Sequence, residues 1–445
     1  MSRRIFNKIL LAAAALLCVS VSSGAQGAYG SFTPYSVFGI GDLVTPGTAF
    51  NKSMGGVGIA TRNHRHINII NPAAVSARDT LAFMADFGLF SDNKIFRQGD
   101  IRSASNTFCI NNLVMSFPIY KSSAMMVGIA PVSGMGYKYI SYLKDPKIIA
   151  DAGDVYHSTT GNGAIYEAFA AASVTFWNRL SIGAQLNFDF GALNRESQQT
   201  FSKSDYSGIY IGNTAQISCF SGKFGLQYEQ PLGNKSKILV GATYRMAGSY
   251  KGYIESLELS SSTIATDTLS YRVDTLAHTP GMLKSAPELG FGVAFTMGDN
   301  FAAEFNYTRS DWRNTGIDNI PGFTTNKTTT ATTSVFRTSI SQAFRLGVEW
   351  TPNRNDIRYY MKNVSYRAGL YYKTDYYTVD NHEIYAMGLT LGATFPIYQW
   401  YNGITVGFEL GQRGSVQNNL VRERYFNISV SFNIHDIWFR KYYYD

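Results

Sequence analysis

After Thr80 the chain alternates apolar and polar residues with period two, in segment after segment. From Leu180 to Phe190 the apolar set Leu180, Ile182, Ala184, Leu186, Phe188 and Phe190 interleaves with Ser181, Gly183, Gln185, Asn187 and Asp189. The same alternation recurs in Phe301–Tyr307, Tyr385–Phe395, Ile404–Leu410 and Phe426–Ile434. Strict alternation predicts strands with one apolar face. Fourteen are expected: near Leu81–Leu89, Thr107–Pro118, Ala124–Val132, Ile165–Phe176, Leu180–Phe190, Ala215–Gln230, Ile238–Ser249, Pro287–Phe295, Phe301–Ser310, Gln342–Trp350, Ser365–Tyr372, Ile384–Phe395, Gly403–Gln412 and Arg424–Ile434. Their second face is small, polar or charged, which suits the lining of a wet, partly filled lumen better than the outside of a two-layer sandwich. Loop lengths agree. Short links (Tyr120–Ser123, Trp177–Arg179, Pro231–Lys235, Met297–Asn300, Tyr398–Asn402) alternate with long polar ones (Gly134–Gly163, Ala192–Asn213, Lys251–Ser285, Asp311–Ser341), the wiring of a transmembrane barrel. Thr351–Asn363 is a long link on the short side, and the pattern gives no reason for it. The fold class read from this is all-β: a membrane-spanning antiparallel β-barrel of about fourteen strands.

One segment does not alternate. Met54 to Arg78 carries Gly55, Gly56, Gly58 and Ala60, which allow close backbone packing, and then Asn71-Pro72-Ala73. Asn followed by Pro is a helix-start signal, with Asn as N-cap and Pro at the first helical position, so a short helix Pro72–Ala77 is expected. This compact segment is read as a plug (hatch) inside the barrel lumen. Ahead of it, Arg3, Arg4 and Lys8 precede the apolar run Ile9–Val21, and Ser23-Gly24-Ala25 supplies small residues for cleavage before Gln26. The run is too short for a membrane helix, which takes about 20 apolar residues. Cys18 invites a lipoprotein reading, but Leu17 stands where a small residue is expected. The division is therefore signal peptide 1–25, plug 26–80 and barrel 81–445.

Composition adds little chemistry. The formal charge of +8 falls to +5 once Arg3, Arg4 and Lys8 are cut away, so nucleic-acid binding is not indicated. The mature chain keeps Cys109 and Cys219, and their spacing leaves a disulfide open. Trp177, Trp350, Trp400, Tyr401, Trp438 and Tyr442 to Tyr444 fall near the short-turn side, where an aromatic girdle belongs. His64-Arg65-His66 reads as a hydrogen-bonded surface pair rather than a metal site. No Gly-x-Ser-x-Gly elbow, His-Glu-x-x-His or P-loop occurs, and His157, His278, His382 and His435 are scattered. No enzyme, metal or cofactor is expected. The Ser/Thr-rich stretch Thr324–Thr333 reads as a solvated outer tip.

The inward phase carries Arg245, Arg345 and Arg367 together with Asp86, Glu167, Asp189, Lys223, Glu288, Glu304, Glu349 and Glu409. The arginines are candidate partners for a ligand carboxylate. The ample supply of acids on the same face favours internal pairing for any one of them. Gly128 and Pro131 interrupt the third strand, where Pro removes a ladder donor. Either the wall bulges or opens there, or Pro131 simply ends the strand at the outer rim.

A signal peptide, then Gly56-Val57-Gly58-Ile59-Ala60 leading to Asn71-Pro72-Ala73, then fourteen alternating strands, resembles the FadL/TodX (OMPP1) family of outer-membrane transporters for hydrophobic compounds. The resemblance covers the whole mature chain. It departs from the family at Asn63, His64, His66 and Ile67, ahead of the motif, and at Ala74, where the family has Gly. It implies a monomeric plugged barrel in the outer membrane of a Gram-negative bacterium, inserted by the barrel-assembly machinery and bathed in outer-membrane lipid. The implied activity is uptake of a hydrophobic small molecule, such as a long-chain fatty acid or an aromatic hydrocarbon, with release through the wall. The alternative is a barrel of the same fold serving protein secretion, type IX-like, without small-molecule uptake.

Overall fold

The computed structural model describes residues 31–437 except 79–81, 121, 204–205, 207, 234, 262–267, 276–282, 319–335, 357 and 399–401. The expected signal peptide, His278, the tip Thr324–Thr333, and Trp400, Tyr401, Trp438 and Tyr442 to Tyr444 lie outside the described residues.

Fourteen antiparallel strands close into one barrel: β1 Ala82–Gln98, β2 Ile101–Tyr120, β3 Ser123–Tyr142, β4 Val155–Phe176, β5 Leu180–Phe201, β6 Gly208–Leu232, β7 Ser236–Arg245 continued as Lys251–Ser261, β8 Thr268–Thr275 continued as Glu288–Met297, β9 Phe301–Asp311, β10 Phe336–Thr338 continued as Ile340–Trp350, β11 Ser365–Val379, β12 His382–Tyr398, β13 Asn402–Arg413 and β14 Arg422–Ile437. Closure comes from β14 pairing with β1, Arg422 opposite Arg97 through Ile437 opposite Ala82. The alternation is turned inside out relative to a water-soluble protein. On β5, Gln185 and Asn187 are 3% and 1% exposed, whereas Ile182 and Leu186 are 46% and 74% exposed. Apolar side chains facing outward around a closed barrel belong in the hydrocarbon of an outer membrane. Trp177 stands exposed on the tight β4–β5 turn, where it and Asn178 both adopt left-handed backbone, the geometry of a two-residue hairpin turn.

The strands are longer than the alternation predicts. Much of the expected loops Gly134–Gly163 and Ala192–Asn213 is strand: β3 runs to Tyr142, a short helix α1 (Pro146–Ala152) follows, and β5 runs to Phe201. A bilayer needs only about 9–11 residues per strand, so these outer halves stand in water. Lipid no longer selects an apolar face there, and the period-two signal disappears. Pro131 does not end β3. It lies mid-strand, and the β3–β4 register shifts between Pro131 and Ser133.

Residues 31–78 run down the lumen. Ser31 to Leu43 pack at the outer end, and Arg65 reaches Asp299 in the β8–β9 turn at the other end (3.4 Å). The expected helix is a single 3-10 turn, Pro72–Ser76, with Asn71 as its cap. Inward glycines exist because the segment's backbone rests on them. A Cβ on Gly183 would lie 2.4 Å from Pro72, and one on Gly369 would lie 2.2 Å from the Gly55 nitrogen.

Candidate functional site

The plug motif is a hydrogen-bonding hub. Asn71 Oδ1 accepts from the Ala73 N–H (2.9 Å), while its Nδ2 donates to the Ile59 carbonyl (2.7 Å) and, more loosely, to that of Leu226 on β6 (3.3 Å). One side chain thus joins both limbs of the plug to the wall. Gly58 is covered by Asn68, whose Nδ2 donates to its carbonyl (2.6 Å), and Gly56 sits in the left-handed region beside the Arg345 side chain. The wall answers: Glu304 accepts from the Ala60 N–H (2.8 Å) and from the Thr61 hydroxyl, Gln227 donates to Ile59 (2.9 Å), and Thr390 accepts from Gly55 (2.8 Å). On the β2–β4 side the grip is apolar, with Ile67, Ile69 and Val75 against Val114, Met126 and Phe169.

The inward charges sort into three buried groups. Arg245 bridges Glu167 (2.7 Å) and Asp189 (2.9 Å). Toward the inner end, Glu349 takes both Arg367 and Arg354 at 2.8 Å, and the Arg367 guanidinium lies over the Phe50 ring at 4.3 Å. His66 stacks on the other partner of that sandwich, 4.5 Å from Phe50, and burial together with Arg367 holds its imidazole well below the ordinary value. Arg354 explains the long link Thr351–Asn363: the link carries this arginine back into the barrel to complete the pair. At the outer end Arg413 holds Asp42 (2.8 Å) and Asp375 (2.7 Å), and Lys94 holds Asp92 (2.8 Å). Sequence reasoning missed this last group, because its strand ends lie beyond the clean alternation.

Of the three candidate arginines, then, Arg245 and Arg367 are occupied by acids. Arg345 donates to the Thr308 hydroxyl (3.1 Å) and makes no ion pair among the described residues. It lines two adjoining cavities between the outer part of the plug and the wall, as does Lys373. The larger is apolar on its far side, with Ile69, Pro131, Phe169 and Trp312. A third cavity lies beneath, against Phe50 and Met54, so that the plug backbone at residues 54–56 stands between the outer and inner spaces.

The wall itself is incomplete. Pairing of β2 with β3 begins at the short turn, Tyr120 opposite Ser123, and stops at Leu113 opposite Ile129. Beyond it β2 follows β1 and β3 follows β4. The wedge between them holds the plug's own residues 42–47: Asp42 and Leu43 pair with Gly134 and Ser133, the Val44 N–H donates to Val132 (2.9 Å), and Asn111 of β2 donates to the Gly47 carbonyl (3.0 Å). Val44 packs with Cys109 and Tyr166. Gly128, opposite Val114, lies one step before the last pair of this seam, and Pro131 lies two residues past that pair. Cys109 and Cys219 are both buried, in separate apolar clusters, and no cluster suited to a metal occurs among the described residues.

A family model, BamG, matches residues 5–445. The chain belongs to the BamG family. No curated protein matches it. Among solved structures, the Pseudomonas putida toluene transporter TodX aligns with a TM-score of 0.59 at 12% identity, covering 88% of this chain and 99% of that one. The CymD monoaromatic hydrocarbon channel aligns at 0.57 and 14%, covering 88% and 98%. A Pseudomonas aeruginosa FadL homologue aligns at 0.52 and 10%, covering 88% and 98%. The resemblance to FadL/TodX channels is thus one of fold across most of the chain, carried by a sequence of the BamG family.

Proposed function

We propose that this barrel carries hydrophobic or amphipathic small molecules, of the long-chain fatty acid or aromatic hydrocarbon kind, through its plugged lumen. The observation that carries the reading is the larger outer cavity. It joins an apolar wall at Ile69, Phe169 and Trp312 to Arg345, which makes no ion pair among the described residues, and it reaches the seam that residues 42–47 fill. Such a space takes an apolar body on one side and a carboxylate on the other. Leaving it sideways requires that residues 42–47 withdraw, whereas leaving it inward requires moving the plug backbone at residues 54–56. Solved barrels of this fold that carry toluene and monoaromatic hydrocarbons support the reading.

A second reading, a barrel serving protein secretion without uptake, has its own observation. The outer end is sealed by a dense apolar core including Tyr35, Phe38, Phe336 and Tyr377, and the plug is bonded to the wall on every side. Mild detergent extraction followed by mass spectrometry separates the two. Uptake predicts a bound lipid or aromatic compound that Arg345→Ala and Asn71→Ala lose. A stoichiometric protein partner with no small molecule would replace uptake by the secretion reading.

A further inference from the structure

The outward face of the barrel carries a row of unbalanced arginines. Arg97 on β1 stands opposite Arg102 on β2 and, on its other side, opposite Arg422 on β14. Arg424 lies one step further down β14, opposite Ile95. All four share the outward phase: Arg97, Arg422 and Arg424 alternate with the buried, inward Phe96, Glu423 and Tyr425, and Arg102 takes the face of Arg97, which it directly opposes. The Arg97 Nε donates to the Gly99 carbonyl (3.1 Å) and the Arg424 Nε to Gln412 Oε1 (3.3 Å). None of the four makes an ion pair among the described residues, although Asp100 lies in the turn between β1 and β2. Arg422 is within electrostatic reach of Arg424, Arg97 and Arg102 together.

Like charges directly across a strand pair destabilise a sheet. Inside this barrel Arg245, Arg367 and Arg413 are each neutralised by carboxylates; outside it, three neighbouring strands line up cations with none. Position supplies what the protein does not. Below the row, the outward residues of β14 are Phe426, Ile428, Val430, Phe432 and Ile434, a run about 20 Å tall at the usual strand tilt, which fills most of the roughly 25 Å apolar band of an outer-membrane barrel. Phe426 stacks on Phe408 with ring centroids 6.0 Å apart, and Ile95 is exposed beside them. The arginines therefore stand at the headgroup plane of the outer leaflet, directly above an apolar surface fit for acyl chains. Guanidinium groups take phosphate oxygens bidentately.

We propose that Arg97, Arg102, Arg422 and Arg424 bind the phosphate of a phosphorylated glycolipid of the outer leaflet, whose acyl chains lie over Phe408, Phe426 and Ile95. The test compares wild type with the R97Q/R102Q/R422Q/R424Q variant, both purified in dodecyl maltoside. Retained glycolipid is read by native mass spectrometry, and thermal stabilisation by added monophosphorylated lipid A, dephosphorylated lipid A and inorganic phosphate. Wild type is expected to retain the phosphorylated lipid and be stabilised by it. The variant is expected to lose at least about tenfold in retention, as befits several charge-assisted contacts, while R313Q, at an exposed outer-end arginine that is paired with Asp311, retains it. Equal retention by the variant would overturn the proposal. Equal stabilisation by dephosphorylated lipid would move recognition to the chains, and equal stabilisation by inorganic phosphate would reassign the row to a free anion; either result overturns it as well. Heat-modifiable migration reports folding, and R102Q/R422Q serves in the same assays where the quadruple variant fails to assemble.

Discussion

Replacing Glu349 with Gln removes one charge and almost no volume, yet it leaves a buried arginine without its counter-charge. Glu349 is 4% exposed and neutralises two arginines, of which Arg367 has a side chain at 0% exposure. Without the carboxylate, Arg367 keeps the Thr394 hydroxyl (2.7 Å) and the Phe50 ring but no counter-charge. Removing one partner of a buried pair costs about 3–5 kcal/mol, or roughly two to three and a half decades in the folding equilibrium. Arg354 adds little to that cost, because it stands near the inner mouth where water can replace the carboxylate. Arg367→Met is therefore expected to be milder than Glu349→Gln, since Glu349 then keeps Arg354. The double variant should recover most of the loss. Urea unfolding in lipid vesicles, followed by heat-modifiable migration, measures all three in one double-mutant cycle. A Glu349→Gln cost below about 1 kcal/mol, the range of exposed pairs, would refute the reasoning, as would simple additivity in the double variant.

Arg345→Met should leave stability within about 1 kcal/mol of wild type, because only the hydrogen bond to Thr308 is lost, yet it should abolish retention of an anionic ligand in detergent. Wild type should lose stability as pH falls below about 6.5, the ordinary His value. The folded state holds His66 neutral while the unfolded chain takes up the proton; His66→Phe should flatten that part of the unfolding profile. Gly369→Leu drives a side chain into the Gly55 backbone from 2.2 Å, so the barrel should still assemble but with the plug displaced, read as raised conductance in planar bilayers.

Much of the architecture was legible because lipid imposes a strict rule on the spanning residues. Leu186 outside and Asn187 inside is a choice that water-soluble sheets rarely make, and it recurs on many of the spanning strands, those that meet the plug's apolar side at Val114, Met126 and Phe169 excepted. The Asn71-Pro72 cap was legible for a local reason: its chemistry is complete within three residues. What escaped were features decided by contacts between distant parts. The outer halves of β3 to β6 stand in water, where no face is selected. Arg245 and Arg367 looked as available as Arg345, and only the fold shows which arginine makes no ion pair among the described residues. The seam also depends on register, because the β2–β3 ladder ends at Leu113 while both strands continue as strand beyond it. Arg354 was hidden in a loop whose length was odd for its side of the barrel. That oddity was the one available signal.

On the transport reading a small hydrophobic molecule passes through the lumen and leaves where residues 42–47 fill the wall. Val44 packs with the native Cys109 across that seam, so a Val44→Cys variant bridged to Cys109 by a short bis-maleimide fixes the gate shut. Uptake of labelled toluene and labelled laurate by cells carrying this barrel is the direct measurement. The account predicts uptake by wild type and by unbridged Val44→Cys, and its loss on bridging. Unchanged uptake in the bridged protein would contradict the seam as the route, and no uptake in wild type would contradict transport itself.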